Sequence, residues 1–199
     1  MSIFNLKEQF AFYGSYHHDH RNMWVHIVFV PAILWSFWVM ASLLGPLPGV
    51  SMDGCLAQTL RHLGFEPHLP FFMLVLYVLY YLVLDFVAAT LYLPFLLTFY
   101  YTSTSLAATH PHALAIGAGV HIVSWMAQFY SHAVWEKRAP ALTDNLSQAL
   151  LMAPLFVFIE ILFMLGYRPR FQAEVEALIE SRLQQFQAAA RSPTKSAKQ

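Results

Sequence analysis

Apolar runs, each about as long as a bilayer is thick, constrain this chain more than any other feature. They cover approximately residues 23–44, 69–84, 87–106, 113–134 and 149–165. About 20 residues of helix cross the hydrocarbon core, so 69–108 is long enough for two helices with a break near Asp85. Only 11% of the 199 residues are charged, against about 25% in soluble domains. The sequence therefore predicts an all-α fold, an integral membrane helical bundle with four to five hydrophobic helices.

The ends of the chain are more polar than its middle. Residues 2–22 predict an amphipathic lead-in helix whose Phe4, Phe10, Phe12 and Tyr16 lie at the membrane interface. Residues 1–170 are predicted to form a single membrane-embedded domain, and residues 171–199 an amphipathic helix with a disordered tail. Lysine plus arginine and aspartate plus glutamate balance at 11 each, so no basic patch indicates nucleic-acid binding. The single cysteine excludes an internal disulfide and a cysteine-based metal site.

Basic residues suggest how the chain is oriented in the membrane. Lys7 and Arg21 precede the first run, and Lys137 and Arg138 follow the fourth. Four crossings would place both pairs on one side, and the positive-inside rule makes that side cytosolic. The basic C-terminal tail conflicts with a fifth full crossing. The run 149–165 is therefore either a crossing or a re-entrant or interfacial element.

A dense histidine cluster borders the first run. His18, Asn22 and His26 form an H-x3-N-x3-H pattern, which on a continuous helix would share one broad face. Imidazole is the commonest protein metal ligand, so the cluster is a candidate metal site. The alternative is that interfacial histidines extend towards water or bind lipid phosphate.

A second polar group lies in the fourth run. His121 and His132 are eleven residues apart, and Gln128, His132 and Glu136 follow the i, i+4, i+8 spacing of one helix face. Ionisable groups in a membrane usually face the bundle interior or a cavity. The alternative is a hydrogen-bonded histidine pair that only fixes helix packing.

The two groups converge if the chain crosses the bilayer four times between its ends. His18 and His26 would then lie at the same end of the bundle as His132 and Glu136. Imidazoles with or without a carboxylate suit Fe(II) or Zn(II), whereas Cu(I) and iron–sulfur clusters prefer thiolates. An open position on Fe(II) would accept O₂, and spacing alone does not choose between the two metals.

Two long segments resemble the signatures of the Mpo1-like membrane dioxygenase family, with the likeness extending over residues 5–170. FYGSYHHDHRNMWVHIVFVP is similar to a Tyr…His-x3-Asn-x3-His…Pro signature, at Tyr16, His18, Asn22, His26 and Pro31. WMAQFYSHAVWEKRAPALTDNL is similar to a second signature, at Trp125, Gln128, Phe129, His132, Glu136, Pro140, Ala141 and Leu142. APLFVFIEILFMLGYRP resembles the family's closing segment. Ser131 departs from the glycine that the family usually has.

The resemblance implies an Fe(2+)-dependent dioxygenase that uses O₂ to shorten long-chain 2-hydroxy fatty acids by one carbon, in the α-oxidation that follows phytosphingosine breakdown. It implies a multi-pass protein of the endoplasmic reticulum, or of the inner membrane in a bacterium. The implied ligands are His18, His26 and His132. Glu136 and Asn22 are candidate catalytic residues, and Lys137 and Arg138 are candidates for holding the substrate carboxylate. His17, His121 and Gln128 are further candidates that either complete the site or are incidental.

Two other classes of protein compete with this interpretation. Membrane di-iron desaturases need histidines in HxxxH and HxxHH boxes, and neither box occurs in the sequence. A non-catalytic membrane protein that binds lipid or acts as a scaffold would show the same apolar runs. Metal content separates that second alternative from an iron enzyme.

Overall fold

The helices of the bundle follow the apolar runs closely. A computed structural model describes residues 2–49, 53–137 and 148–191. Its α-helices are α1 (Leu6–Gly14), α2 (His20–Ser42), α3 (Cys55–His62), α4 (Leu69–Leu84), α5 (Phe86–Thr109), α6 (Ala113–Ser131), α7 (Ala153–Met164) and α8 (Pro169–Arg191). Single π-helical turns cover His132–Glu136 and Gln148–Met152. The described residues contain no strand, which confirms the all-α prediction.

Length and composition identify the helices that are able to cross a membrane. Three helical segments qualify: His20–Ser42, Phe86–Thr109 and Ala113–Glu136. The apolar segment that contains α7, together with α8, adds a fourth if the pair, which is bent by 119°, is taken as one crossing. Helix α4 is apolar but has only 16 residues. Large apolar side chains such as Val28, Phe95 and Met126 are exposed on the outside of these helices. These findings confirm a helical membrane bundle with three or four candidate crossings.

Asp85 separates α4 from α5 as the sequence predicts. Its backbone is extended, and its side chain accepts a hydrogen bond of 3.1 Å from the backbone N–H of Ala88, which caps α5. The same buried carboxylate accepts a hydrogen bond from the hydroxyl of Tyr167 and pairs with Arg168. Asp85 therefore joins the α4–α5 turn to the start of α8.

Helix α2 is the centre of the bundle, and α6 is its most extensive partner. A side chain at Gly117 of α6 would place its Cβ 3.2 Å from side-chain atoms of Val39 and Met40, and 3.4 Å from the carbonyl oxygen of Ser36. Small residues allow helix backbones in membranes to approach this closely. This close contact sets the relative position of the two helices that carry His26 and His132.

The N-terminal helix differs from the predicted interfacial helix. It ends at Gly14, and residues 15–19 form a turn before α2. Phe10 is buried against Phe156 and Phe163 of α7, and Tyr16 is buried as well. The prediction of an interfacial position for Phe10 and Tyr16 was wrong, because α7 and α8 cover this helix.

The last apolar run begins deep in the bundle and returns to the end at which the chain started. The hydroxyls of Tyr77 and Tyr81, on α4, donate to the carbonyls of Leu150 and Leu151 at 2.7 and 2.8 Å. Sixteen residues after Leu151, Tyr167 donates to Asp85 at the end of α4. Helix α8 then packs against α1, where Glu174 pairs with Lys7 at 2.6 Å. This path favours the re-entrant alternative over a full crossing.

Candidate metal centre

Three histidines from separate parts of the sequence meet beside the start of α2. His17, His26 and His132 each offer a ring nitrogen, and these nitrogens lie within 4.8 Å of one another. The distance between ring centroids is 4.3 Å for His17 and His26, 4.9 Å for His17 and His132, and 5.0 Å for His26 and His132. His26 and His132 are buried and His17 is half-buried. Three imidazoles that face one another at this separation form a potential metal site.

Two of the three imidazoles, those of His17 and His26, are oriented by the local backbone. The Nδ1–H of His17 donates to the carbonyl oxygen of Tyr13 at 2.8 Å, and the Nδ1–H of His26 donates to that of Asn22 at 2.9 Å. A carbonyl can only accept, so in both rings Nε2 carries the free lone pair. A backbone carbonyl on the second ring nitrogen is the usual way in which proteins orient metal-binding histidines.

His132 shows the strongest sign that something else belongs in the site. It begins the π-helical turn that extends α6, and π-helical turns are frequent at functional sites. Its Nδ1 is buried and has no hydrogen-bond partner in residues 2–49, 53–137 and 148–191. Buried polar atoms are normally paired, so this nitrogen fits a metal ligand.

Burial also prepares the cluster for metal binding. It lowers the pKa of His17 well below the ordinary histidine value of 6.5, and the neighbouring His26 and His132 lower it further. The imidazole of His17 is therefore neutral at pH 7, which is the form that binds metals.

A partly buried hydrogen-bond network joins α2 to the end of α6 beside the three histidines. Oε1 of Glu136 accepts from the side-chain amide of Asn22 and from the backbone N–H of Asp19, both at 2.9 Å. Oδ1 of Asn22 lies 2.6 Å from the hydroxyl of Ser131, which also lies 2.8 Å from the carbonyl of Gln128. The candidate catalytic residues Asn22 and Glu136 thus contact each other and hold the two helices together.

The structure places His17, and not His18, with His26 and His132. The H-x3-N-x3-H argument needs one continuous helix through His18. Helix α2 begins only at His20, and Asp19 caps its first turn. The chain turns before the cap, so the exposed His18 side chain lies outside the three-histidine cluster.

Two of the predicted site residues, His18 and Glu136, line an open cleft of about 640 Å³. Its walls are His18, Asp19, His20, Arg21, Trp135, Glu136 and Leu183. Arg21 pairs with Asp19 through two nitrogens and lies over the ring of Trp135. Hydrogen bonds from Arg21 lower the pKa of Asp19 to about 2, so this carboxylate remains ionised at neutral pH. Both signs of charge therefore border the cleft.

The other predicted site residues lie in different environments. Lys137 is exposed in a left-handed conformation after the π-helical turn, and Arg138 lies outside the described residues. His121 belongs to a separate group: Trp125 donates to its Nε2 at 3.0 Å, and its Nδ1 lies 3.0 Å from the hydroxyl of Ser36. The Ser36 contact joins α6 to α2 and the Trp125 contact lies within α6, so both ring nitrogens of His121 have partners outside the three-histidine cluster. Gln128 is buried one turn before His132.

Sequence reasoning missed Tyr13. Its ring stacks on the imidazole of His17, with centroids 4.1 Å apart and planes 19° from parallel. Burial raises the pKa of Tyr13 well above its usual range, and Glu160 and Glu136 raise it further, so the hydroxyl stays protonated. The Tyr13-x3-His17 spacing of one helical turn was the available signal.

Comparison with known proteins agrees with the two signatures. Residues 3–165 match the family described as 2-hydroxy-palmitic acid dioxygenase Mpo1-like. The chain is 33% identical over 178 residues to the 2-hydroxy-palmitic acid dioxygenase MPO1 of Saccharomyces cerevisiae, which covers 89% of this chain and 91% of the yeast protein. No solved structure matches the chain. The family match spans most of the sequence, and the chain therefore belongs to the Mpo1-like family.

Proposed function

We propose that this protein is an Fe(II)-dependent dioxygenase that shortens long-chain 2-hydroxy fatty acids by one carbon. The observation that carries the proposal is the three-histidine cluster, with a buried unpaired Nδ1 on His132. Membership of a family described by a 2-hydroxy-palmitic acid dioxygenase supports the reaction class. The reaction belongs to fatty acid α-oxidation, as in phytosphingosine degradation.

The proposed reaction needs no oxidant other than O₂. The bond between C1 and C2 breaks, C1 leaves as CO₂, and C2 becomes the carboxyl carbon of an acid one carbon shorter. One O₂ is reduced, and one water forms. Iron, when bound, supplies the ability to bind and activate O₂, which side chains of this composition lack.

The residues of the chain then have separate roles. His17, His26 and His132 would hold the metal, with His17 in the place that the sequence assigned to His18. Glu136 and Asn22 fix the start of α2 against the end of α6 and so keep His26 and His132 at their separation.

Substrate binding uses both the cleft and the apolar surroundings. The carboxylate headgroup would enter by the polar cleft beside Glu136, and Lys137 and Arg138 remain the proposed partners of that carboxylate. Each buried CH₂ of the alkyl tail contributes about 0.8 kcal/mol. The bilayer and the apolar helices provide that environment. The protein would work in the endoplasmic reticulum of a eukaryote or the inner membrane of a bacterium.

Product analysis with two acids tests the reaction. Purified protein with Fe(II), O₂ and 2-hydroxypalmitate should yield the acid one carbon shorter, and palmitate should be inert, since it lacks the C2 hydroxyl. Equal turnover of both acids, or activity undiminished by iron chelation or by removal of O₂, would contradict the proposal. Protein that binds lipid but holds no iron would support the non-catalytic alternative.

A further inference from the structure

A second hydrogen-bonding group lies unused at the three-histidine cluster. The hydroxyl of Tyr13 is buried and has no partner in the described part of the chain. We propose that Tyr13 is a substrate-binding residue, whose hydroxyl donates a hydrogen bond to an oxygen of the 2-hydroxy acid bound at the three-histidine site. This inference rests on the proposed function and deepens it.

Tyr13 is fixed against the metal site by its own helix and by α7. Its carbonyl oxygen receives the Nδ1–H of His17, and its ring lies parallel to that imidazole. On the other side the ring contacts Phe156, with centroids 5.3 Å apart. The ring of Tyr13 is therefore held against the imidazole of His17 by contacts that do not involve the phenol oxygen.

Two of the other unpartnered polar atoms belong to α6 and its π-helical turn. The side-chain amide nitrogen of Gln128 and Nδ1 of His132 are buried without a partner among the described residues, as are Nε1 of Trp38 and the hydroxyl of Tyr92 beside other helices. A metal accounts for His132, but the hydroxyl of Tyr13 and the amide of Gln128 are donors and cannot bind a cation through their hydrogens. A ligand with acceptor oxygens is the missing partner that suits donors of this kind.

The chemistry of a 2-hydroxy acid suits a buried hydroxyl that is free to donate. Its carboxylate and hydroxyl oxygens accept hydrogen bonds, whereas its alkyl tail does not. A buried donor left without a partner costs free energy, so a ligand oxygen that pairs with it gains affinity. Removal of the hydroxyl should therefore weaken ligand binding without altering the imidazoles.

The test is anaerobic titration of Fe(II)-loaded protein with 2-hydroxypalmitate, which measures binding without turnover. Tyr13→Phe keeps both ring contacts and removes only the oxygen. We expect a dissociation constant roughly 3- to 10-fold higher than that of the wild type, the range for one hydrogen bond. Iron content and thermal unfolding midpoint should stay unchanged, because the lost hydroxyl has no protein partner.

Tyr92→Phe is the matched control. Tyr92 is also buried with an unpartnered hydroxyl in the described residues, but its neighbours are Tyr81, Phe95 and Phe158, away from the histidines. Its dissociation constant should equal that of the wild type.

Three results would overturn the inference. They are unchanged binding in Tyr13→Phe, equal weakening in Tyr92→Phe, and loss of iron from Tyr13→Phe, which would assign the hydroxyl to the metal site. A wild-type protein that holds iron but does not bind 2-hydroxypalmitate would instead overturn the proposed function, on which this inference depends.

Discussion

Replacement of His17 or of His18 by alanine tests which of the two binds the metal together with His26 and His132. The positions are adjacent, and the change in side-chain volume is identical. In the structure His17 supplies one of three ring nitrogens within 4.8 Å, whereas His18 lies outside that group. His17→Ala should therefore lose bound iron, and His18→Ala should retain it.

The expected difference follows from what each side chain contacts. Loss of a group that merely orients a ligand weakens metal binding about 10- to 100-fold. Loss of the ligand itself leaves only His26 and His132, so we expect at least about a 100-fold drop, or about 2.8 kcal/mol. Exposed substitutions away from such contacts change free energies by about 0.5 kcal/mol or less, which is little more than a twofold change.

Iron content and Fe(II) titration of the purified variants measure this difference. Both variants should insert into membranes to the same extent, which excludes misfolding as the cause of metal loss. His20→Ala, at another exposed position on the cleft, is a further control. If His18→Ala loses iron and His17→Ala keeps it, the assignment of His17 as a ligand is wrong. The prediction of His18 as a ligand on a continuous helix would then stand.

Three further predictions concern the network, the pH dependence and the orientation. Asn22→Ala removes the hydrogen bond to the carboxylate of Glu136 and the contact with the Ser131 hydroxyl, and should lower the free energy of unfolding by about 2–4 kcal/mol. Ser131→Gly should cost about 1 kcal/mol, because Asn22 keeps its bond to the carboxylate; denaturation of both variants in detergent tests this, and equal losses would contradict it. Because burial lowers the pKa of His17, protons should displace iron only well below the ordinary histidine pKa of about 6.5. The amount of bound iron is measured as the pH is lowered. A steep loss of iron around pH 6.5 would contradict this prediction. Cysteines at the positions of His20 and Lys137, in a background without the natural cysteine, should both be labelled from the cytosolic side. If one of the two cysteines is labelled only from the opposite side, the two ends of the site cannot lie on the same side of the membrane.

Much of the fold was determined by local sequence. A run of apolar residues long enough to cross a bilayer has to form a helix, because backbone groups find no other hydrogen-bond partners in lipid. The break at Asp85 could be predicted from a single charge within 40 apolar residues, since a carboxylate there caps the next helix. His26 and His132 could be assigned to one end of the bundle because the number of helices between them fixes their side. The boundary between a domain of residues 1–170 and a tail stays a prediction, although α8 packs on α1.

The choice of His17 over His18 was decided only by the tertiary structure. The Asp19 cap of α2 is a local signal, but local rules do not say which of two adjacent side chains in the preceding turn faces inward, because residues more than 100 positions away fix the placement of α1. Phe10 packs on Phe156 and Phe163, and Gly14 lies against Ile179 of α8, whose side chain would collide with a Cβ at position 14. These contacts pack α1 against α7 and α8, and the chain turns between α1 and α2. The turn carries His17 inward beside Tyr13 and leaves its neighbour on the cleft, because adjacent side chains in such a turn face different directions.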